Sequence, residues 1–322
     1  MTKKRREVIL TNRISRLATY SLNGYEQKVL LDGKDENSPV MLFLHGGPGM
    51  PLPFCGGSRG MFPDFTDHFI MVYWDQLGCG MNDYYIDDTF TIDTFVDMTV
   101  DLVKELKKEF ADNQLILLGA SWGSVLAAKT AVKVPELVDN VLTYGQISSR
   151  LFFNKEVYEA LINANMSPKA KKRLLVLQEA KAHTPGDVKN IAALIRKYTE
   201  GYQAKSRSKL PVGAIIIGLL TSSDYSLKNV IAIVKNGFMK NRSIWNELLQ
   251  IDLIEDIKSI RIPYRILQGS TDIVTSIKAV SLLVSESNND CLSLRIIENS
   301  GHIPSAVAMN EILSEIVKLI NK

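Results

Sequence analysis

Three side chains that together could carry out acyl transfer stand at separate points of the sequence, each shortly after an apolar run. Ser121 lies in the pentapeptide Gly-Ala-Ser-Trp-Gly, and Asp272 and His302 follow later runs. A serine hydroxyl is a weak nucleophile, so it needs a base within hydrogen-bond distance. A neutral histidine can be that base, and an aspartate can orient it and stabilise its protonated form. We therefore expect Ser121 as the nucleophile, His302 as the base and Asp272 as its orienting partner.

Acyl transfer also needs hydrogen-bond donors for the negative charge that develops on the substrate oxygen. The backbone N–H of Trp122, next to the nucleophile, is one candidate donor. A second should come from the glycine-rich segment His45–Gly49, in which glycines let the backbone approach the oxygen closely. Within this segment we favour Gly47 as the donor, with Gly46 as the alternative.

The elements that would position these groups alternate along the chain. Apolar runs such as Val40–Leu44 and Leu115–Leu118 are typical of buried strands, and helical periodicity follows several of them. This alternation predicts a doubly wound, mostly parallel sheet, in which ligands bind beyond the carboxyl ends of the strands. Residues 7–32 alternate in a β-like way, and Asn23-Gly24 predicts a hairpin turn.

The rhythm changes in the middle of the chain. Residues 146–245 have a helical pattern without a clear strand, and the strand–helix alternation resumes after them. We expect a core domain made of residues 1–145 and 246–322, with an all-helical cap, residues 146–245, inserted into it.

Gly-x-Ser-x-Gly between a strand and a helix, followed by Asp and then His, is the pattern of an α/β-hydrolase nucleophile elbow and triad. Three motifs resemble those of the proline iminopeptidase family of α/β-hydrolases: His45–Gly49, Trp74–Gly80 and Gly119–Ser124. The resemblance covers roughly residues 25–145 and 255–322. It implies an α/β-hydrolase fold with a helical cap, a Ser121–Asp272–His302 triad and release of N-terminal residues, typically proline, from short peptides. It implies no metal and no cofactor.

The substrate is the open part of this hypothesis. The resemblance implies that carboxylates of the cap bind the free ammonium group of the peptide, but no motif identifies them here. Asp224 and Glu247 are the candidates, together with Glu156 and Glu159. The apolar cap run Val212–Leu220 could instead line an acyl pocket, although a packed cap interior explains it as well. The alternatives are therefore a carboxylesterase, lactonase or amide hydrolase, or a non-catalytic ligand-binding homologue.

Composition excludes several other classes of protein. The chain has 322 residues, 46% of them hydrophobic, and a formal net charge of +3, which gives no case for a nucleic-acid partner. Its longest apolar run has nine residues, whereas a membrane span needs about 20. The three widely spaced cysteines and the absence of a signal-peptide pattern favour the cytoplasm. We expect a small-molecule or short-peptide substrate and no membrane partner; the oligomeric state stays open.

Overall fold

One twisted sheet forms the centre of the molecule. The computed structural model describes residues 1–204 and 212–320, and in this part of the chain the sheet has eight strands. The strands are β1 (Ile14–Leu22), β2 (Tyr25–Gly33), β3 (Val40–Leu44), β4 (Ile70–Tyr73), β5 (Leu115–Ala120), β6 (Asn140–Tyr144), β7 (Tyr264–Gly269) and β8 (Leu292–Ile297).

The strand order is β1-β2-β4-β3-β5-β6-β7-β8. The β1–β2 and β2–β4 pairs are antiparallel, and all pairs from β4 to β8 are parallel, which confirms the predicted mostly parallel sheet. Leu44 pairs with Gly119 in the register of β3 and β5. The segments that follow these two neighbouring strands, the glycine loop and the serine turn, therefore begin side by side.

Helices pack against the sheet. They are α1 (Lys3–Thr11), α2 (Pro63–Thr66), α3 (Ile92–Glu109), α4 (Trp122–Lys133), α5 (Lys155–Ile162), α6 (Pro168–Glu179), α7 (Pro185–Tyr198), α8 (Val212–Leu220), α9 (Leu227–Lys235), α10 (Arg242–Leu249), α11 (Ile254–Lys258), α12 (Ile277–Glu286) and α13 (Ala306–Ile320). Short 3-10 turns lie at Pro135–Leu137 and Gly237–Lys240.

Within the segment expected to form the cap, the described regular elements are helices joined by loops. Helices α5 to α9 lie within residues 146–245, α10 runs across residue 245 to Leu249, and residues 205–211 lie outside the described part of the chain. None of the described helices combines the length and the apolar character that a bilayer-spanning segment needs.

The N-terminal region departs from its predicted strand pattern. The Asn23-Gly24 hairpin is confirmed, with φ of 48° and 80° at its two turn residues, but residues 7–11 belong to α1. Thr2 caps this helix, and the Arg5 side chain is buried, where it donates to the carbonyl oxygens of Arg59 and Gly57. Contacts with residues more than 50 positions away thus hold a segment whose own pattern suggested a strand.

Candidate active site

Ser121 occupies a strained turn between β5 and α4. Its φ of 50° and ψ of −116° lie in a region that residues with side chains rarely adopt. Its backbone N–H donates to the carbonyl oxygen of Tyr144 (2.9 Å), and its own carbonyl oxygen accepts from the N–H of Ser124 (2.8 Å). These contacts on both sides hold the turn, so the side chain is presented at the carboxyl end of the sheet.

The two glycines of the pentapeptide are required by close backbone contacts. A Cβ on Gly123 would lie 1.8 Å from the carbonyl oxygen of Leu44. A Cβ on Gly119 would lie 2.7 Å from the carbonyl oxygen of Gly123. No side chain fits at either position, because real Cβ contacts stay above about 3 Å. This is the physical reason for the Gly-x-Ser-x-Gly spacing.

The structure brings the three predicted residues together in a chain of hydrogen bonds. His302 Nε2 lies 3.0 Å from Ser121 Oγ, and His302 Nδ1 lies 3.0 Å from Asp272 Oδ2. A carboxylate only accepts, so Nδ1 carries the proton and Nε2 is left to accept from the serine hydroxyl. Asp272 is fully buried, and the imidazole is about nine-tenths buried. The arrangement can therefore move a proton from the serine to the imidazole.

Asp272 is held by contacts that sequence reasoning missed. Its Oδ1 accepts from the backbone N–H of Val274 (2.8 Å) and Thr275 (3.2 Å). Its Oδ2 accepts from the side chains of Thr275 (2.8 Å) and Gln268 (3.1 Å) as well as from His302. One feature of the sequence could have indicated these contacts: Gln268 is the penultimate residue of β7 and stands four residues before Asp272. Together these donors orient the carboxylate and satisfy both of its oxygens.

The loop that carries His302 is attached to the segment after α7. The backbone N–H of His302 donates to the carbonyl oxygen of Gly201 (3.0 Å), and that of Ile303 donates to Tyr202 (2.9 Å). Gly145, with φ of 66°, leaves room for the imidazole, because a Cβ there would lie 3.3 Å from ring atoms. The position of the histidine therefore depends on residues from both the sheet and the helical segment.

The segments that carry the predicted backbone donors lie on either side of Ser121. Trp122 is the first residue of α4, where a backbone N–H has no partner within the helix. A Cβ on Gly46 would lie 3.4 Å from the Cβ of Ser121, so the glycine loop passes directly beside the serine. Gly47 has φ of 122°, and a Cβ there would lie 2.7 Å from the nitrogen of Gly49. The local geometry thus requires glycine at position 47.

His45 anchors this loop from within the protein interior. The ring is fully buried; Nδ1 donates to the carbonyl oxygen of Gly46 (3.0 Å), and Nε2 accepts from the backbone N–H of Gln76 (3.1 Å). Burial lowers the pKa of His45 to about 4. The ring is therefore neutral at pH 7 and holds the loop as a hydrogen-bonding strut.

A cavity of about 560 Å³ opens beside Ser121 and His302. The glycine loop forms one side of it, and residues of α7, α8 and α13 contribute to the rest. Most of its walls are apolar, among them Phe54, Leu118, Phe152, Trp245, Met309 and Ile312. Ile215 lines the cavity from the apolar run of α8, whereas Ile217 and Leu220 of that helix are exposed. The space suits an apolar group attached to a reacting carbonyl.

Comparison with known proteins agrees with this geometry. The family model for the alpha/beta hydrolase fold matches residues 39–307. The chain belongs to the alpha/beta hydrolase fold family. A probable aminopeptidase, YbaC, of Bacillus subtilis (strain 168) is 24% identical over 291 residues, which cover 88% of this chain and 89% of that protein.

Relatives of this α/β hydrolase include proline iminopeptidases. That of Saccharolobus solfataricus is 30% identical over 142 residues, which cover 43% of this chain and 42% of that protein. The crystal structure of the Mycobacterium smegmatis proline iminopeptidase matches with a TM-score of 0.67 at 16% identity, covering 95% of this chain and 98% of that one. The resemblance drawn from the three motifs is confirmed, and the structural likeness supports the fold.

The candidate carboxylates for an ammonium group are engaged elsewhere in this α/β hydrolase. Both oxygens of Asp224 accept from Arg59 at 2.8 Å, and Glu247 accepts from the backbone N–H of Ile92 (2.9 Å) at the start of α3. Neither carboxylate lines the cavity beside Ser121. Glu156, which bonds to the Ser276 hydroxyl, and Glu159, 3.6 Å from Lys155 Nζ, do not line it either. The structure does not bring these four residues to the serine.

One buried carboxylate does join the helical segment to the core. Asp75, fully buried, accepts from the backbone N–H groups of Gly56 and Met81 (both 2.9 Å) and from the hydroxyl of Tyr225. Burial raises the pKa of Asp75, while these hydrogen bonds lower it. Nearby, the Asn236 side chain donates to the carbonyl oxygen of Pro48 (2.7 Å). The segment that contains Tyr225 and Asn236 is thus tied to the glycine loop and its surroundings.

Proposed function

We propose that this α/β hydrolase is a serine hydrolase that cleaves acyl compounds through a Ser121–His302–Asp272 triad. The observation that carries the proposal is the pair of 3.0 Å contacts that His302 makes, one to the serine hydroxyl and one to the buried aspartate. Nucleophile, base and orienting group are thus within hydrogen-bond distance in the order that acyl transfer requires.

In the proposed reaction, Ser121 Oγ attacks the substrate carbonyl while its proton passes to His302 Nε2. The resulting oxyanion accepts hydrogen bonds from the backbone N–H groups of Trp122 and Gly47, with Gly46 as the alternative second donor. The protonated imidazole, stabilised by Asp272, then gives its proton to the leaving group as the carbonyl re-forms. A water molecule then attacks the acyl carbonyl while His302 Nε2 takes its proton. As the carbonyl re-forms, His302 returns this proton to Ser121 Oγ, and the acyl group leaves as a carboxylic acid.

Two substrate classes follow from different observations. The names of the Bacillus subtilis and Saccharolobus solfataricus relatives favour release of an N-terminal residue from short peptides. The apolar walls of the cavity, and the engagement of Asp224 and Glu247 elsewhere, favour an ester or amide of an apolar acid. We propose the second class, because a substrate ammonium group taken out of water needs an opposite charge beside it.

A fluorophosphonate probe tests the nucleophile directly. We expect it to label the wild-type protein stoichiometrically and Ser121→Ala not at all. The wild-type protein should hydrolyse 4-nitrophenyl hexanoate, and Ser121→Ala should not. Ser285→Ala, which removes a hydroxyl on the exposed side of α12, is the matched control and should behave as wild type. Labelling that survives in a folded Ser121→Ala protein would refute the proposed nucleophile. An unlabelled, folded wild-type protein would instead favour the non-catalytic ligand-binding reading.

A further inference from the structure

The charged side chains among the described lining residues of the cavity are all basic. Apart from His302, the charged side chains among its described lining residues are Lys189 and Arg196, and none of those lining residues is Asp or Glu. Residues 205–211, Lys-Ser-Arg-Ser-Lys-Leu-Pro, contain no acidic residue in their sequence. Glu200, close to Arg196 in sequence, does not belong to the lining. The site beside Ser121 is therefore cationic as well as apolar.

Both cations come from one face of α7. Thr184 and Asp187 form a capping box that begins this helix, and its residues Ile191, Leu194 and Ile195 are buried in the helical segment. Lys189 and Arg196 point away from that interior and line the cavity. They are seven residues apart, which is two helical turns or about 10.5 Å along the axis. The helix thus presents two positive charges to the same space.

Arg196 lies close to the reacting groups. Its guanidinium carbon is 4.6 Å from the centre of the Tyr202 ring, and that ring is 5.9 Å from the imidazole of His302. Stacking on an aromatic ring fixes the guanidinium and leaves its N–H groups free to meet a planar anion. Among the described residues, neither Arg196 nor Lys189 forms an ion pair with a carboxylate. In the described part of the chain neither cation has a carboxylate counter-charge within ion-pair distance, and both residues are exposed to solvent.

Resting on the proposed serine hydrolase, we propose that its substrate carries a carboxylate on the acyl chain, which Arg196 and Lys189 bind while the apolar walls hold the chain itself. A planar carboxylate matches the paired N–H donors of a guanidinium. An N-terminal ammonium group in the same cavity would lose water without gaining a partner and would be repelled by both cations. The charge pattern therefore selects a monoester or monoamide of a dicarboxylic acid over a free N-terminal peptide.

Three 4-nitrophenyl esters of equal chain length test this selection. The mono-4-nitrophenyl ester of adipic acid ends in a carboxylate, and methyl 4-nitrophenyl adipate ends in a neutral methyl ester. The 4-nitrophenyl ester of 6-aminohexanoic acid ends in an ammonium group. At low ionic strength we expect kcat/KM to be about tenfold higher for the adipate monoester than for the neutral ester, because a charge-assisted contact is the strong kind of hydrogen bond. The ammonium ester should be the slowest. Salt should reduce the preference, since both cations are exposed to solvent.

Matched variants assign the preference to the two side chains. Arg196→Gln should bring the ratio of the adipate monoester to the neutral ester from about ten to about one, and Lys189→Gln should lower it less. Lys197→Gln is the control, because Lys197 is in the same last turn of α7 but does not line the cavity. It should keep the wild-type ratio.

Several outcomes would overturn the inference. It is refuted if the ammonium ester is the fastest, or if neither Arg196→Gln nor Lys189→Gln changes the charge preference. Should the esters all be inert while fluorophosphonate still labels Ser121, labelling becomes the readout, and hexanoate must protect the serine where hexylamine does not. If Ser121 is unlabelled as well, the serine hydrolase proposal fails first, and this inference fails with it.

Discussion

The stability of the protein should fall steeply with acid because of one buried histidine, His45. Its ring bonds to the carbonyl oxygen of Gly46 through Nδ1 and to the backbone N–H of Gln76 through Nε2, which requires the neutral tautomer with the proton on Nδ1. A proton added at Nε2 would turn this nitrogen into a donor that faces another donor, the backbone N–H of Gln76, and the hydrogen bond between them would be lost. Burial lowers the pKa of His45 from 6.5 to about 4 and outweighs the hydrogen bond to Gly46, which raises it. Acid must therefore either break this arrangement or unfold the chain.

The sign and size of the effect follow from linkage. Between pH 6.5 and pH 4 the unfolded chain binds a proton at His45 that the folded chain does not, so the free energy of unfolding falls as the pH falls. The contribution is fully present above pH 6.5 and is lost as the pH approaches 4. A difference of about 2.5 pKa units at about 1.4 kcal/mol per unit amounts to about 3.5 kcal/mol. Such a loss is a large share of the stability of an ordinary domain.

Urea unfolding between pH 7 and pH 4.5, followed by tryptophan fluorescence, measures this term. His45→Asn and His45→Gln carry no titrating group and serve as references, since every other group titrates alike in the wild type and the variants. We expect both variants to be less stable than the wild type at pH 7, and the gap to narrow as the pH falls. A constant gap across the range would show that His45 does not carry the acid sensitivity and would refute the assignment of a buried neutral ring.

Two further substitutions test the contacts around the site. Gly47→Ala should lower kcat on the neutral ester by about 10²-fold, because a Cβ 2.7 Å from the nitrogen of Gly49 must displace a backbone donor. Circular dichroism monitors the fold. An unchanged kcat would leave Gly46 as the donor. Tyr225→Phe should lower the free energy of unfolding by about 1.5–3 kcal/mol, because buried Asp75 loses one of its three donors. Tyr85→Phe, on an exposed ring, is its control in urea unfolding, and equal effects of the two would contradict this role of Tyr225.

The turn at Ser121 could be predicted in detail because its cause is local. Gly119 and Gly123 stand within two residues of the serine, and the apolar runs before each reacting side chain mark strands whose carboxyl ends meet at one edge. The alternation of strands and helices was sufficient for the fold class, since a parallel sheet follows from it almost necessarily. The Asn23-Gly24 hairpin was equally local, because both turn residues favour positive φ.

The role of the distant carboxylates could not be predicted in the same way. Asp224 looked like a substrate ligand in the sequence, but its partner Arg59 is 165 residues away. Helix α1 was missed because its stability depends on Arg5 reaching the carbonyl oxygens of a loop more than 50 residues later. Such pairings depend on which surfaces pack together, and no spacing along the chain records them.

The sequence by itself determined which residues stand at the candidate site. The glycine spacing, the order of Ser121, Asp272 and His302, and the glycine loop depend on backbone sterics and strand ends, which act over a few residues. Only the tertiary structure decided which charged side chains line the cavity beside the site. Nothing in the sequence distinguishes Lys189 and Arg196 from ordinary charged residues of a helix. They become cavity residues because the face of α7 that carries Ile191 and Leu194 is buried, and a helix can only be oriented by what it packs against.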